Sequence, residues 1–139
     1  MKISVIIPAH NEEEYLPIGL AAVSKSAEIC PCEVEVIVVL NRCHDRTEEI
    51  ARKAGAIIAR EEAKNLALIR NAGFKASTGD IIVTVDADSQ LHPHFLRIVV
   101  EKLERKTIGG GAFVLPERWS LGIAVSYTHL TPADDVNGV

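Results

Sequence analysis

The sequence is short of positive charge. Its 139 residues include 15 lysines and arginines against 19 aspartates and glutamates, which gives a formal net charge of -4 at pH 7. A domain that binds nucleic acid usually carries a basic surface, so we expect no nucleic-acid partner. A polyanionic ligand would need a local source of positive charge, such as a metal ion.

The sequence also lacks a long apolar run. None approaches the roughly 18 residues of a membrane span, and a strand-like pattern that begins at Ile3 leaves no room for a signal peptide. We therefore expect a cytoplasmic chain, either free or peripheral at the inner face of a membrane. The sequence leaves open whether the chain forms a homo-oligomer.

Cysteine is scarce, and the three cysteines, Cys30, Cys32 and Cys43, cannot all pair within one chain. An odd count without a secretion signal fits a reducing compartment. A zinc site that uses these thiols with His44 is the alternative, but their spacing matches none of the usual closed zinc sites.

Two glycine-rich nucleotide-binding motifs are absent. No GxGxxG follows the first apolar run, and GxxxxGK[ST] occurs nowhere in the sequence, which argues against the usual dinucleotide-binding and P-loop proteins. The glycines at 109–111 do not precede a helix-like pattern, so we assign them to close backbone packing.

What the sequence does contain is an alternation of strand and helix patterns. Apolar residues make up 47% and charged residues 24% of the chain, which is typical of one globular domain. Nearly continuous apolar, β-branched runs lie at 3–7, 34–40 and 80–85, with a weaker run at 56–60. Runs that lack polar alternation predict strands buried on both faces of a parallel sheet.

Helix-like patterns separate these runs. They cover residues 12–27, a segment that begins at Asp45, residues 64–77 and residues 93–106, and Glu48 stands in capping-box register with Asp45. The alternation predicts an α/β, Rossmann-like fold in which helices flank a mainly parallel sheet.

The pattern decays after residue 119. Turn-forming residues dominate the last stretch, "TPADDVNGV" at 131–139. The sequence therefore predicts one α/β domain over residues 1–119 and a poorly organised tail over residues 120–139.

Polar residues follow three of the predicted strands. "PAHNEE" occupies 8–13, "NRCHDRT" occupies 41–47 and "DADSQ" occupies 86–90. Open parallel α/β sheets bind ligands at the carboxyl ends of their strands, so we expect these loops at one edge of the sheet. Asp86 and Asp88 lie two residues apart in an extended segment and should project to the same side.

Two carboxylates on one side of a strand end can bind a hard divalent cation, here Mg2+ or Mn2+, with water and ligand oxygens completing its coordination. Such an ion bridges to phosphate oxygens and neutralises charge on a departing diphosphate. In isolation, an Asp-x-Asp more often marks a solvated turn. The two polar loops that accompany it favour the metal site.

Three stretches of the sequence carry a family signature: "SVIIPAHNEEEYLP" at 4–17, "VEVIVVLNRCHDRTEEIA" at 34–51 and "IRNAGFKASTGDIIVTVDADS" at 69–89. With the helix that follows, they cover most of residues 1–105 and resemble the family 2 inverting glycosyltransferases of the GT-A fold. The resemblance implies an enzyme that transfers a sugar from a nucleotide diphosphate sugar to an unidentified acceptor. A UDP sugar is the expected donor, and Mn2+ or Mg2+ the expected cofactor.

The resemblance also implies roles for individual residues. Asp88 would bind the metal together with Asp86, which lies on the ribose side, and Glu12 would lie near the base or ribose. Asn41 stands where family members commonly have an aspartate that reads the uracil edge, so the identity of the base stays open. The donor-binding residues implied in this way are Pro8, Ala9, His10, Asn11, Glu12, Asn41, Arg70, Asn71, Asp86 and Ala87.

A catalytic base is not evident. In the family it is an aspartate or glutamate well downstream of the Asp-x-Asp, on an acceptor-binding half that this chain barely begins. Asp134 and Asp135 are the only late acids, and they come too early in the sequence. The resemblance thus implies a GT-A fold truncated at the acceptor half, with no assigned catalytic residue and with its own transfer activity in question.

Other functions fit the same pattern less well. A nucleotidyltransferase that makes nucleotide sugars should carry a glycine- and arginine-rich loop after its first strand, and "PAHNEE" is not one. A receiver-like signalling module would need an acidic pair after the first strand. A module that binds a nucleotide without catalysis remains open. For Arg70, a salt bridge on the helix surface is the alternative to a role in binding.

Overall fold

The computed structural model describes residues 1–104, 109–111 and 123–127, with side chains as far as residue 102. These residues form one mixed α/β arrangement. The strands are β1 (Lys2–Ala9), β2 (Glu33–Leu40), β3 (Ile57–Arg60), β4 (Ile81–Val85), β5 (Gly109–Gly111) and β6 (Ile123–Tyr127); the helices are α1 (Leu16–Ile29), α2 (Thr47–Lys53), α3 (Leu66–Ala76) and α4 (Phe95–Glu104).

The described strands form one sheet in the order β3-β2-β1-β4-β6-β5. β1 pairs in parallel with both β2 and β4, and β2 pairs in parallel with β3. β6 runs antiparallel to β4 and to β5. The prediction of a mainly parallel sheet flanked by helices is therefore confirmed, and β1 lies at its centre with the other two long strands beside it.

The core has one layer on each side of the sheet. Along β1, Val5 and Ile7 pack with residues of α1, α2 and α4, whereas Ile6 packs with residues of α3 on the opposite face. All three side chains are at most 1% exposed. Burial on both faces is the reason that the run from 3 to 7 shows no polar alternation.

A polar network joins the amino-terminal ends of the strands. The Glu35 carboxylate accepts hydrogen bonds from Ser4 Oγ at 2.6 Å and from the Thr78 amide at 2.7 Å. The Lys2 ammonium lies 3.1 Å from the same carboxylate, and the Gly79 amide donates to Ser4 Oγ. These bonds fix the start of β4 against β1 and β2.

Two helices begin later than predicted. The predicted start at Glu12 is wrong, because α1 begins at Leu16 and the Glu12 amide donates instead to Thr47 Oγ1 at 2.8 Å. The predicted capping box of Asp45 and Glu48 is also absent. Asp45 accepts a hydrogen bond from the Thr47 amide just before α2.

The Glu48 carboxylate is held elsewhere. It pairs with Arg52 at 2.8 Å and with Arg60 at 2.5 Å, so it does not reach back to the start of α2. The other two helices lie within their predicted segments.

The strand β6 was not predicted. Its residues 123–127 pair with residues 81–85 of β4, and the glycines at 109–111 form the adjacent edge strand. The domain boundary at residue 119 stays a prediction. Asp134 and Asp135 lie outside the described residues.

Candidate functional site

A cavity of about 400 Å3 lies at the carboxyl ends of β1, β2 and β4. Most of the residues expected to bind the donor and the metal line it, together with three that sequence reasoning did not select. The lining residues are Pro8, Ala9, His10, Glu12, Asn41, Arg42, Leu66, Ile69, Asp86, Ala87 and Asp88.

The acidic pair follows β4. Asp86 and Asp88 are exposed and line the cavity, whereas Ala87 between them is only 5% exposed and Ser89 only 2%. The Ser89 amide donates to the Asp86 carbonyl at 3.0 Å and closes a turn. Both carboxylates therefore lie on the open side of the strand end, on a turn rather than on the extended segment that was predicted.

The helix α1 supports this turn through Gly19. A Cβ atom at Gly19 would lie 3.1 Å from the Ala87 carbonyl oxygen and 3.2 Å from that of Ser89. The buried Ser26 hydroxyl of the same helix accepts a hydrogen bond from the Leu96 amide at the start of α4. The absence of a side chain at Gly19 thus lets the helix approach the backbone that carries the acidic pair.

Negative charge accumulates in the cavity. The pKa of Glu12 is raised, first by burial and then by the nearby charge of Asp88, with a smaller contribution from Asp86. Within the described part of the chain, no lysine or arginine forms an ion pair with Asp86 or Asp88. A bound cation would relieve this repulsion.

The residues fit a divalent metal that has few protein ligands. Among the residues that the structure describes, no group of three His, Cys, Asp or Glu side chains is placed to hold a metal. A pair of carboxylates still suits Mg2+ or Mn2+, because these ions retain waters and take further oxygens from a phosphate.

The zinc alternative finds no support over the same residues. Cys30 and Cys32 contact each other, with their sulfur atoms 3.3 Å apart, whereas the Cys43 thiol donates to the Ala9 carbonyl. The Cys43 thiol therefore lies apart from the pair formed by Cys30 and Cys32.

The loop after β2 is fixed by Asn41. This side chain is 2% exposed, and its amide nitrogen donates to the Ala63 carbonyl at 2.8 Å and to that of Glu61. Its side-chain oxygen accepts from Arg42 Nε at 2.9 Å, and its main-chain oxygen lies 2.7 Å from His10 Nδ1. Asn41 thereby ties the loops after β1, β2 and β3 together.

Strained backbone occurs in the loops that follow β1 and β2. Asn11 and Arg42, both with φ of 50°, are the non-glycine residues with positive φ in the described chain. Such residues cluster at binding sites. Asn11 does not line the cavity; its side-chain oxygen accepts from the His44 amide at 2.7 Å and so joins the same two loops.

Arg70 and Asn71 are exposed on α3 and do not line the cavity. The helix presents Leu66 and Ile69 to it instead. The place of Arg70 and Asn71 in donor binding therefore stays a prediction. Sequence reasoning missed Arg42 although it lies in the post-strand loop, and it missed the two apolar residues because nothing polar marks them.

A larger cavity of about 810 Å3 lies between α1, α2 and the sheet. Its lining is mainly apolar, with Leu20, Val36 and Ile50 among the contributors, and its charged lining residues are Glu35 and Lys53, whereas a ligand site needs several convergent polar groups. The smaller cavity is therefore the candidate functional site.

Over the described residues, we find no helix with the length and apolarity needed to cross a bilayer.

A mainly parallel α/β sheet with an acidic pair after β4 and polar loops after β1 and β2 is the arrangement of a GT-A glycosyltransferase domain. The family model for glycosyl transferase family 2 matches residues 4–118. The chain belongs to this family, and the resemblance in its sequence motifs is confirmed.

Individual relatives agree. The chain is 33% identical over 109 residues to an undecaprenyl-phosphate 4-deoxy-4-formamido-L-arabinose transferase of Aeromonas hydrophila, a match that covers 71% of this chain and 32% of the relative. The chain thus spans about a third of the length of that curated relative.

Solved structures show the same fold. A mannosyltransferase from Pyrobaculum calidifontis in complex with GDP-Man and Mn2+ matches with a TM-score of 0.66 and 25% identity, over 77% of this chain and 33% of that one. Glucosyl-3-phosphoglycerate synthase from Mycobacterium tuberculosis, in complex with Mn2+, UDP and glucosyl-3-phosphoglycerate, matches with a TM-score of 0.58 and 31% identity, over 73% and 39%.

Proposed function

We propose that this chain is the donor-binding part of a glycosyltransferase that takes a sugar from a nucleotide diphosphate sugar with the help of a divalent metal. One observation carries the proposal: Asp86 and Asp88 line the same cavity as the loops after β1 and β2. Two solved relatives are complexes that contain Mn2+ and a nucleotide diphosphate or its sugar, which supports the same chemistry here.

The acidic residues of the cavity and His10 then have roles in donor binding. Asp88, assisted by Asp86, would hold Mn2+ or Mg2+, and the metal would neutralise charge on the departing nucleotide diphosphate. Glu12 and His10 follow the central strand β1, between the acidic pair and the β2 loop, where the ribose would lie. The contact of His10 with the Asn41 carbonyl fixes its ring.

The catalytic base remains unassigned. Inverting transfer needs a group that takes the proton of the acceptor hydroxyl, and we assign that role to no residue of this chain. A nucleotide-binding module without transfer activity is therefore the second candidate. It predicts the same metal-dependent binding and differs only in the chemical step.

The donor base and the location belong to the same proposal. The expectation of a UDP sugar as donor rests on the family resemblance alone. The solved relatives contain UDP in one case and GDP-Man in the other. A position at the inner face of a membrane is supported by the Aeromonas relative, whose name includes undecaprenyl phosphate, a lipid.

Calorimetric titration of UDP, GDP and dTDP, each with and without Mn2+, tests this function. We expect binding that requires Mn2+ and that falls at least about tenfold in Asp88→Ala, because the metal loses a carboxylate ligand. Glu49→Ala removes an exposed carboxylate from α2 and serves as the matched control, with unchanged binding. Failure of all three nucleotides to bind in the presence of Mn2+ would contradict the proposal.

A further inference from the structure

Among the described residues that line the candidate site, Arg42 is the one with a lysine or arginine side chain. It follows β2 and adopts a left-handed backbone with φ of 50°. No ion pair with Arg42 is found in the described part of the chain. A cation without an acidic partner in a cavity rich in carboxylates has donors available for a ligand.

The orientation of Arg42 is set by Asn41. The amide nitrogen of Asn41 must face the carbonyls of Glu61 and Ala63, because a carbonyl oxygen can only accept a hydrogen bond. The side-chain oxygen of Asn41 therefore faces Arg42 and accepts from Nε. A guanidinium held through Nε keeps both Nη groups as a planar pair of donors.

The same contacts remove Asn41 as a reader of the base. Both of its polar atoms are engaged within the protein, and the side chain is 2% exposed. The reading of a base at this strand end then falls to the neighbouring arginine.

The place of Arg42 in the sheet corresponds to the nucleobase rather than to the diphosphate. β2 and β4 lie on either side of β1, and adjacent strands are about 4.8 Å apart. The end of β2 is thus roughly 10 Å from the end of β4 that carries Asp86 and Asp88. With the diphosphate on the metal at β4 and the ribose over β1, the base reaches β2.

We propose that Arg42 selects the nucleobase of the donor and favours a base with two adjacent hydrogen-bond acceptors over uracil. Guanine offers such a pair at O6 and N7, and cytosine offers one at O2 and N3, each suited to a bidentate arginine. Uracil places its N3–H between two carbonyls. One Nη donor of the arginine would therefore face the N3–H donor of the base rather than an acceptor. This inference rests on the proposed function and replaces the expectation of a UDP sugar.

The test is titration of GDP, CDP and UDP in the presence of Mn2+ against the 139-residue chain and its variants. Arg42→Gly removes the side chain while glycine accepts the positive φ. Arg42→Lys keeps the positive charge but not the planar pair of donors. Arg46→Ala, an exposed arginine of the same loop that does not line the cavity, is the control.

We expect GDP or CDP to bind the unaltered chain at least about tenfold more tightly than UDP. The preference should shrink to less than about threefold in Arg42→Gly and in Arg42→Lys, with Mn2+ still required, and should persist in Arg46→Ala. Whether GDP or CDP binds better identifies the base.

Three results would overturn the inference alone. The first is that the unaltered chain binds UDP as tightly as GDP and CDP, or more tightly. The second is that the preference for GDP or CDP persists in Arg42→Gly. The third is that Arg42→Gly loses affinity equally for all three nucleotides, which would place Arg42 at the diphosphate. Absence of binding by every nucleotide would instead overturn the proposed function, and the inference with it.

Discussion

At the scale of single residues, Gly19 shows how a position away from the cavity can control the site. It lies where α1 passes over the Ala87 and Ser89 carbonyls. A Cβ atom added at Gly19 would lie 3.1–3.2 Å from these carbonyl oxygens. Neither carbonyl oxygen belongs to a flexible side chain, and the bond from Leu96 to Ser26 holds the helix near α4. An added methyl group therefore requires the helix or the turn that carries the acidic pair to shift by a few tenths of an ångström.

We expect Gly19→Ala to weaken Mn2+-dependent nucleotide binding about three- to tenfold in a protein that remains folded. Alanine favours a helix by about 0.5–1 kcal/mol over glycine, which offsets part of the strain. Affinity is measured by calorimetry and the melting temperature by circular dichroism. Ser24→Ala, at an exposed position of the same helix, controls for helix propensity. Unchanged affinity in folded Gly19→Ala would contradict this role.

The residues of the site could be predicted only in part. Asp86, Asp88 and Glu12 were found because polar residues stand out directly after a buried apolar run. The contacts of Asn41 could not be predicted, since the carbonyls that hold its amide are those of Glu61 and Ala63, about twenty residues along the chain.

At the scale of elements, the ends of the strands carry different kinds of interaction. The amino-terminal ends of β1 and β2 share the Glu35 network described above. Burial alone would raise the pKa of Glu35, but the hydrogen bonds from Ser4 and Thr78, with Lys2 nearby, lower it to about 2. The deprotonated carboxylate is therefore stabilised in the folded state.

This shift predicts an acid-dependent loss of stability. Because the pKa is about 2 in the folded chain against an ordinary value of 4.5 for a glutamate, the contribution of Glu35 is complete above pH 4.5 and is lost as the pH falls towards 2. We expect Glu35→Gln to cost about 1–3 kcal/mol of unfolding free energy at pH 7 and less at pH 3.

Urea unfolding at both pH values measures the effect. Glu33→Gln is the matched control. The Glu33 side chain is 72% exposed and, among the described residues, its ion pair is with Lys2 at 3.4 Å; exposed pairs contribute little. Equal destabilisation by the two substitutions, or no dependence of the Glu35→Gln effect on pH, would contradict the prediction.

Elements differed in how far the sequence could predict them. The central strands were predictable because both of their faces are buried, whereas the start of α1 depends on a bond from the Glu12 amide to Thr47 in another loop. The exposed positions of Arg70 and Asn71 follow from the buried positions of Ile69 and Gly73 on α3, which fix the face that the helix turns to the sheet. The strand β6 was not predicted, because its five residues stand in the stretch after residue 119, where the alternation of strand and helix patterns decays.

At the scale of the whole molecule, the matched relatives set the expectation for activity. This chain covers 32% of the Aeromonas transferase, and none of its described residues is assigned as the base. We expect the chain to release nucleotide diphosphate from a nucleotide sugar slowly or not at all, with no transfer to added undecaprenyl phosphate. Chromatography of nucleotide and lipid products measures both outcomes, and Asp88→Ala gives the background. Efficient transfer would show that a base has been overlooked.

The separation of the two strand ends has a consequence for how proteins of this kind can change. About four residues of strand, or roughly 13 Å, lie between the Glu35 network and the cavity, and substitutions that far apart usually have additive effects. Tolerance to acid and choice of donor can therefore diverge independently among descendants of one ancestral sequence.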